Sequence, residues 1–359
     1  MDGIDLVALD CDGVLWHGNS PVAGAQEALS VLKAAGKKLY FVSNNSQYTV
    51  DQFTAKVKAM GFGAFAERGK LWNSCMATQR YLEGHRTSDD DAAFVIGSDG
   101  LKEAVANAGI RMAHASIADD KLEPMKCAQI PLDPGVKSVI VGFDRAVSYV
   151  HLALAVRYLL ENAGCKFIVT NRDFQFPAGD VRLPGTGAIV SAIETGARRP
   201  PDVITAKPSP LMLQSIMAEA RTPPDRVLMV GDLWSDVAFG HRAGTRAALV
   251  LSGVTSAADA AKLTGESSPD AVFTDVRGTI DAAHVITPLR PLRALPLHVA
   301  NGLPWLGRLN SFLASGSASL TARRGSLALV SFAIGVAAAV GFAAGVSARK
   351  GTRLSVSRC

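Results

Sequence analysis

At 359 residues the chain exceeds one ordinary domain, so two units, or one domain with a large insertion, are expected. Its formal charge of +5 sits in its last stretch: no Asp or Glu follows Asp281 but nine Arg and Lys do, and subtracting them leaves residues 1–281 at −4. A mildly acidic body excludes a nucleic-acid footprint, and five scattered cysteines (Cys11, Cys75, Cys127, Cys165, Cys359) without a CxxC pair exclude a zinc ribbon and a disulfide framework, a pattern of reduced thiols facing the cytosol.

The predicted elements alternate from the start. Leu6–Leu9 is a short apolar strand. Ala25–Ala35 is a helix closed by Gly36, Lys38–Val42 a second strand, and Thr49–Met60 a helix ending at Gly61. A second α/β unit follows, with strands at Ala93–Ile96, Ser138–Val141 and Phe167–Thr170. Its helices are expected at Leu101–Ala108, Tyr149–Asn162 and Gly187–Glu194. The first pattern then resumes with strands at Asp202–Thr205, Arg226–Val230 and Ala247–Leu251 and helices at Ser209–Glu219 and Asp236–Ala243. Such alternation predicts an α/β protein with a Rossmann-like parallel sheet, interrupted by an inserted α/β unit. The expected boundaries are a core at 1–85 and 199–285, an insertion at 86–198, a Pro- and Arg-rich linker at 286–322, and a final segment at 323–359.

Four motifs fall at predicted strand ends. Asp10-Cys11-Asp12-Gly13-Val14 leaves the first strand, and beyond the strand end, where the backbone curls, both carboxylates can face one pocket. Such a pair is costly without a cation between its members, and it suits covalent chemistry on an aspartate. Ser43-Asn44-Asn45-Ser46 offers a hydroxyl and backbone N–H groups of the kind that cradle an oxyanion, although loops often have this composition. Lys207 stands between a strand and a helix, its backbone fixed by Pro208 and Pro210. Gly231-Asp232-Leu233-Trp234-Ser235-Asp236 adds a carboxylate at each end of a short loop. Asp10, Asp12 and Asp232 together call for a hard divalent cation such as Mg2+, at the strand ends where open α/β sheets bind ligands.

In this order the motifs resemble those of the haloacid dehalogenase superfamily of phosphohydrolases. The long insertion is similar to the large α/β cap of one subclass. The wording at Asp10–Trp16, Ser43–Ser46, Val141–Asp144 and Thr170–Asp173 is similar to its phosphoglycolate phosphatase and 4-nitrophenylphosphatase branch, which also contains pyridoxal phosphate phosphatases. The resemblance covers about residues 3–285. It implies that Asp10 is the nucleophile and Asp12 the general acid and base. It further implies that Ser43, Asn44 and Lys207 hold phosphoryl oxygens. Asp10, Asp232 and the Asp12 backbone carbonyl are the implied Mg2+ ligands, with Asp236 orienting them from behind. Asn171 and Asp173 are the substrate-facing candidates in the cap, and an ordinary Asx turn explains them equally. Ser43 stands where Thr is more usual in the family, and Leu233-Trp234 replaces a more polar pair.

The expected partner is a small phosphorylated metabolite, and a homodimer is compatible with the reading. A phosphomutase or protein phosphatase on the same scaffold, or an idle membrane-tethered scaffold, are the competing readings. Retention of both Asp10 and Asp12 counts against idleness. Finally, no charge occurs in the 24 residues from Gly325 through Ala348, which as a helix span roughly 36 Å. Arg323-Arg324 and Arg349-Lys350 bracket them, which predicts a C-terminal transmembrane helix. Without a basic, apolar leader, the expectation is a tail-anchored protein with its catalytic domain in the cytosol, on a mitochondrial outer or peroxisome-type membrane.

Overall fold

In a computed structural model, the structure describes residues 3–67, 69–88, 91–114, 123–178 and 181–281. The linker and the charge-free stretch lie outside the described residues, and among those described no helix is long and apolar enough to cross a membrane.

The strands in chain order are β1 (Leu6–Asp10), β2 (Trp16–His17), β3 (Ser20–Pro21), β4 (Lys38–Ser43) and β5 (Leu71–Asn73). There follow β6 (Ala92–Ile96), β7 (Arg111–Ala113), β8 (Val136–Val141), β9 (Lys166–Val169), β10 (Gln175–Ala178) and β11 (Val181–Pro184). The last four are β12 (Val203–Ile204), β13 (Val227–Gly231), β14 (Arg246–Val250) and β15 (Ala271–Phe273).

Six strands form one parallel sheet in the order β15-β14-β13-β1-β4-β5. From β1 the chain winds outward to β4 and β5, then returns to the other side of β1 with β13. The strand order therefore reverses between β1 and β13, and the crevice beyond their carboxyl ends is where such sheets bind ligands. All five β1 residues are buried, as expected of a strand covered on both faces. Its alternation divides the core: Val7 and Leu9 pack with Phe41, Leu228 and Val230 on one face. On the other, Leu6 and Ala8 pack with Tyr40, Val42 and Met229.

The second sheet, β12-β9-β8-β6-β7, is also parallel and lies in the chain between β5 and β13. Here one expectation needs correction. The run at 202–205 does not join the first sheet; Val203 and Ile204 pair with Ile168 and Val169 and extend the second. A two-residue strand carries no signal about its partner, and Asp202 is fixed locally by accepting a bond from the Phe167 N–H at 2.7 Å.

The helix Ser74–His85 joins the two sheets. Its Ala77 packs in the first core, while Cys75 and Leu82 pack with Ala93, Leu101 and Ile140 of the second. Its Thr78 hydroxyl meets that of Thr205 at 2.8 Å.

Candidate active site

Asp10 is the last residue of β1, Ser43 the last of β4, and Asp232 directly follows β13. The parallel register thus delivers three motifs to one edge of the sheet. Lys207 follows β12, and its ammonium reaches across to Asp10 Oδ1 at 2.6 Å and Asp236 Oδ1 at 2.8 Å. Its side chain is only 4% exposed. Asp236 lies in the first turn of the helix Trp234–Arg242, and its Oδ2 accepts from the N–H groups of Asp232 (3.2 Å) and Leu233 (3.0 Å). It both caps the helix start and enters the site.

Asp10, Asp232 and Asp236 place carboxylate oxygens within 4.8 Å of one another, all three buried. Burial pushes the Asp10 carboxyl well above the ordinary range; Lys207 pulls it back, and Asp236 and Asp232 push it up again. Burial and then Asp236 push Asp232 up to about 7. At Lys207 burial works against charge, but Asp10 and Asp236 outweigh it and raise the ammonium above the usual lysine range. Three carboxylates face one ammonium, an imbalance of two negative charges that a divalent cation matches. Asp232 Oδ2 accepts from the Val254 N–H at 2.7 Å, while its buried Oδ1 meets no hydrogen-bond donor among the described residues. An all-oxygen donor set with one unbonded oxygen fits Mg2+.

This trio holds Asp236 beside the expected Asp10 and Asp232, and the Asp12 carboxylate is not one of the three. The N–H groups of Leu15 and Trp16 both reach the Cys11 carbonyl, folding the turn back on itself. The Asp12 carboxylate, half exposed, accepts from the Trp16 indole N–H at 3.0 Å. Lys56 lies 3.9 Å from it and over the rings of Trp16 and Tyr48. Trp16 and Lys56 escaped the sequence reading, since an aromatic and a helix lysine carry no signal until the turn is folded.

Gly13 makes this turn feasible. Its φ is +89°, and a Cβ there would lie 2.5 Å from Asp232 Oδ2 and 3.1 Å from the Gly253 Cα. Gly13→Ala is expected to cost about 1–3 kcal/mol in strain and to displace Asp232. A wild-type melting temperature and kcat/KM in that variant would refute this account.

The remaining candidates meet on the loop after β4. Ser43, buried, accepts from the Asn45 N–H through its hydroxyl at 3.2 Å. The Asn44 amide donates to Asp173 Oδ1 (3.1 Å), Asp173 Oδ2 (3.2 Å) and the Lys207 carbonyl (3.0 Å). Asn171 donates to Asp173 (2.9 Å) and to the Asn44 carbonyl (3.1 Å). Asn44 therefore holds the second sheet's loop and the Lys207 backbone at once. Burial raises the Asp173 carboxyl against the opposing pull of Asn44 and Lys207. Ser46 adds to the junction: its hydroxyl accepts from the Phe143 N–H, and its carbonyl from Ser98.

A family model described as "Haloacid dehalogenase-like hydrolase" matches residues 7–111, and a HAD-hydrolase-like model matches 204–279. Glycerol-3-phosphate phosphatase of Gallus gallus is 39% identical over 256 residues, 70% of this chain and 81% of that protein. The chain belongs to the haloacid dehalogenase-like hydrolases. Within them it is a phosphatase, a phosphoric monoester hydrolase. Two solved structures show the fold. The p-nitrophenyl phosphatase from Archaeoglobus fulgidus has a TM-score of 0.65 and 27% identity, over 78% of this chain and 99% of that one. Glycerol phosphate phosphatase from Mycobacterium tuberculosis, in complex with magnesium, has 0.65 and 25%, over 77% and 76%. The haloacid dehalogenase-like frame accounts for both sheets, since each structure covers more than the six-stranded one.

Proposed function

We propose that this chain hydrolyses small phosphate monoesters in a Mg2+-dependent reaction through an aspartyl phosphate on Asp10. The observation that carries the reading is the buried contact between Lys207 and Asp10 at the point where the strand order reverses. Lys207 holds one Asp10 oxygen in place, and its fixed positive charge offsets charge that develops on a phosphoryl group beside it. Asp10 attacks phosphorus and the substrate alkoxide leaves. Asp12, outside the buried trio, protonates that alkoxide and then takes a proton from water as the acyl phosphate is cleaved. In this reading Ser43 and the Asn44 backbone bond phosphoryl oxygens. Asp10, Asp232 and the Asp12 carbonyl would hold Mg2+, with Asp236 behind them. Bound there, the cation supplies charge neutralisation between the phosphoryl group and the carboxylates.

The second sheet, pinned through Asn44, Asn171 and Asp173, acts as a cap that covers the cleft and selects the ester. The names of the Gallus gallus and Mycobacterium tuberculosis proteins support a glycerol phosphate-like substrate. Phosphate release measured over a panel of phosphometabolites and 4-nitrophenyl phosphate tests the class, and absence of turnover on every small ester would overturn it. Exhaustive dialysis against a chelator is expected to abolish turnover, with Mg2+ restoring it; full activity in excess chelator would refute the cation's part.

For residues 326–348 the proposal is a membrane anchor that leaves the phosphatase facing the cytosol. Its support is the charge-free length bracketed by arginines. Carbonate extraction should leave the full chain in the membrane pellet and release a 1–315 truncation. Co-release of the two would remove the anchor.

A further inference from the structure

At the opposite edge of the first sheet lies a second cavity, of about 230 Å3, whose lining includes Lys33, Lys37, Lys38, Lys70 and Glu67. Lys38 opens β4 and Ser43 closes it, so five steps of extended strand, about 17 Å, separate this cavity from the catalytic edge. A ligand here is not the ester being cleaved.

Four lysines and one carboxylate line this cavity in a body whose net charge is negative, and Lys33 also donates to the Ala64 carbonyl at 2.9 Å. Glu67 is shared by Lys33 (2.9 Å) and Lys70 (2.5 Å). Lys38 donates to the Ala220 carbonyl (2.8 Å) and the Thr222 hydroxyl (3.3 Å). Lys37 donates to the Ile4 carbonyl (2.7 Å). Asp5 is engaged by Arg226, and Lys37 and Lys38 help to hold it below the usual range. Buried Leu39 and Phe65 complete the lining, and Lys33 lies over the Phe65 ring at 5.7 Å. An apolar wall strengthens the field of the charges beside it. The space far exceeds the roughly 10–15 Å3 that admits one water.

We propose that this cavity is an anion site that takes a phosphate group, separate from the catalytic centre and independent of its assignment. The phosphate is carried by a soluble phosphometabolite or by a lipid headgroup, and the chemistry that recognises it is the same. Lys37 and Lys38 enter from the turn at Gly36, Lys33 from the end of the helix Ala25–Ala34, and Lys70 from the start of β5. Three separate segments thus converge on one pocket.

The test compares the full chain with a K33Q/K37Q/K38Q/K70Q variant, both carrying Asp10→Asn so that no probe is turned over. Inorganic pyrophosphate is titrated calorimetrically, and sedimentation is measured with vesicles of phosphatidylcholine alone or mixed with phosphatidic acid. Any membrane anchor is common to both proteins and cancels. The expected result is a second, salt-sensitive site in the parent, weakened about tenfold or more in the variant. Loss confined to pyrophosphate assigns a soluble ligand, and loss confined to phosphatidic acid vesicles assigns a headgroup. With Asp10 restored, the variant keeps its parent's kcat/KM on 4-nitrophenyl phosphate. Should four substitutions prevent folding, K37Q/K38Q is expected to give an intermediate loss. Identical titrations and identical sedimentation would overturn the proposal.

Discussion

Asp10→Asn is expected to remove phosphatase activity by roughly 10^4-fold or more, the scale of deleting a covalent nucleophile. An amide keeps the volume of the side chain and its place at the end of β1 but cannot form an acyl phosphate. The same change acts oppositely on the metal-free fold. Burial and the neighbouring Asp236 and Asp232 hold the Asp10 carboxyl well above its ordinary range, so its charge is a burden there. Lys207 keeps its second partner, Asp236, at 2.8 Å. The variant should therefore unfold at an equal or higher temperature than the parent in chelator. Activity lost together with stability would point to a structural collapse instead. Residual turnover above a few per cent would remove Asp10 as nucleophile.

Much of this site was legible before any coordinate. Apolar runs ending in Asp10, Ser43 and Gly231 read as strands because each is a short Leu- and Val-rich segment stopped by a polar or Gly-containing turn. In a parallel sheet, strand ends share an edge, so three motifs far apart in the chain had one place to meet. Pairing was less legible. Val203–Ile204 is two residues long, and only the fold shows that it extends the second sheet. The three-residue β5 and β15 and the hairpin β10–β11 passed unnoticed, the latter with Pro177 and Pro184 in its strands, which sequence patterns penalise. The surroundings of the Asp12 carboxylate were not legible, for a local reason. Two carboxylates at i, i+2 can share a pocket only if the turn brings them round, and that same turn sets the Trp16 indole N–H on the Asp12 carboxylate. Asp236 read as an orienting residue or a plain helix cap. It caps the helix with one oxygen and meets Lys207 with the other, and sequence spacing cannot show the second contact.

Lys207→Met tests whether electrostatics hold the cluster together. Methionine keeps the apolar stem and deletes the ammonium, leaving Asp10, Asp232 and Asp236 without the cation that now touches two of them. Removing one partner of a buried ion pair typically costs about 3–5 kcal/mol, and this is expected of the metal-free variant near neutral pH. The pH dependence follows from the raised carboxyls. Asp232 already titrates at about 7, above its ordinary 3.8, so folding favours its protonated form. A carboxyl raised in this way contributes stability that is complete below the unfolded value and lost as pH rises through the folded one. Without Lys207 the carboxyls rise further, so the deficit against the parent should be small near about pH 5 and grow towards about pH 8. Mg2+ should recover part of the stability, since it supplies charge to the same oxygens. It should not recover turnover, which is expected to fall about 10^2- to 10^3-fold, as on loss of a fixed charge at the reacting centre. Denaturant unfolding at the two pH values, with and without Mg2+, separates the effects. A deficit that is equal at both pH values and indifferent to Mg2+ would place the role of Lys207 in packing rather than charge.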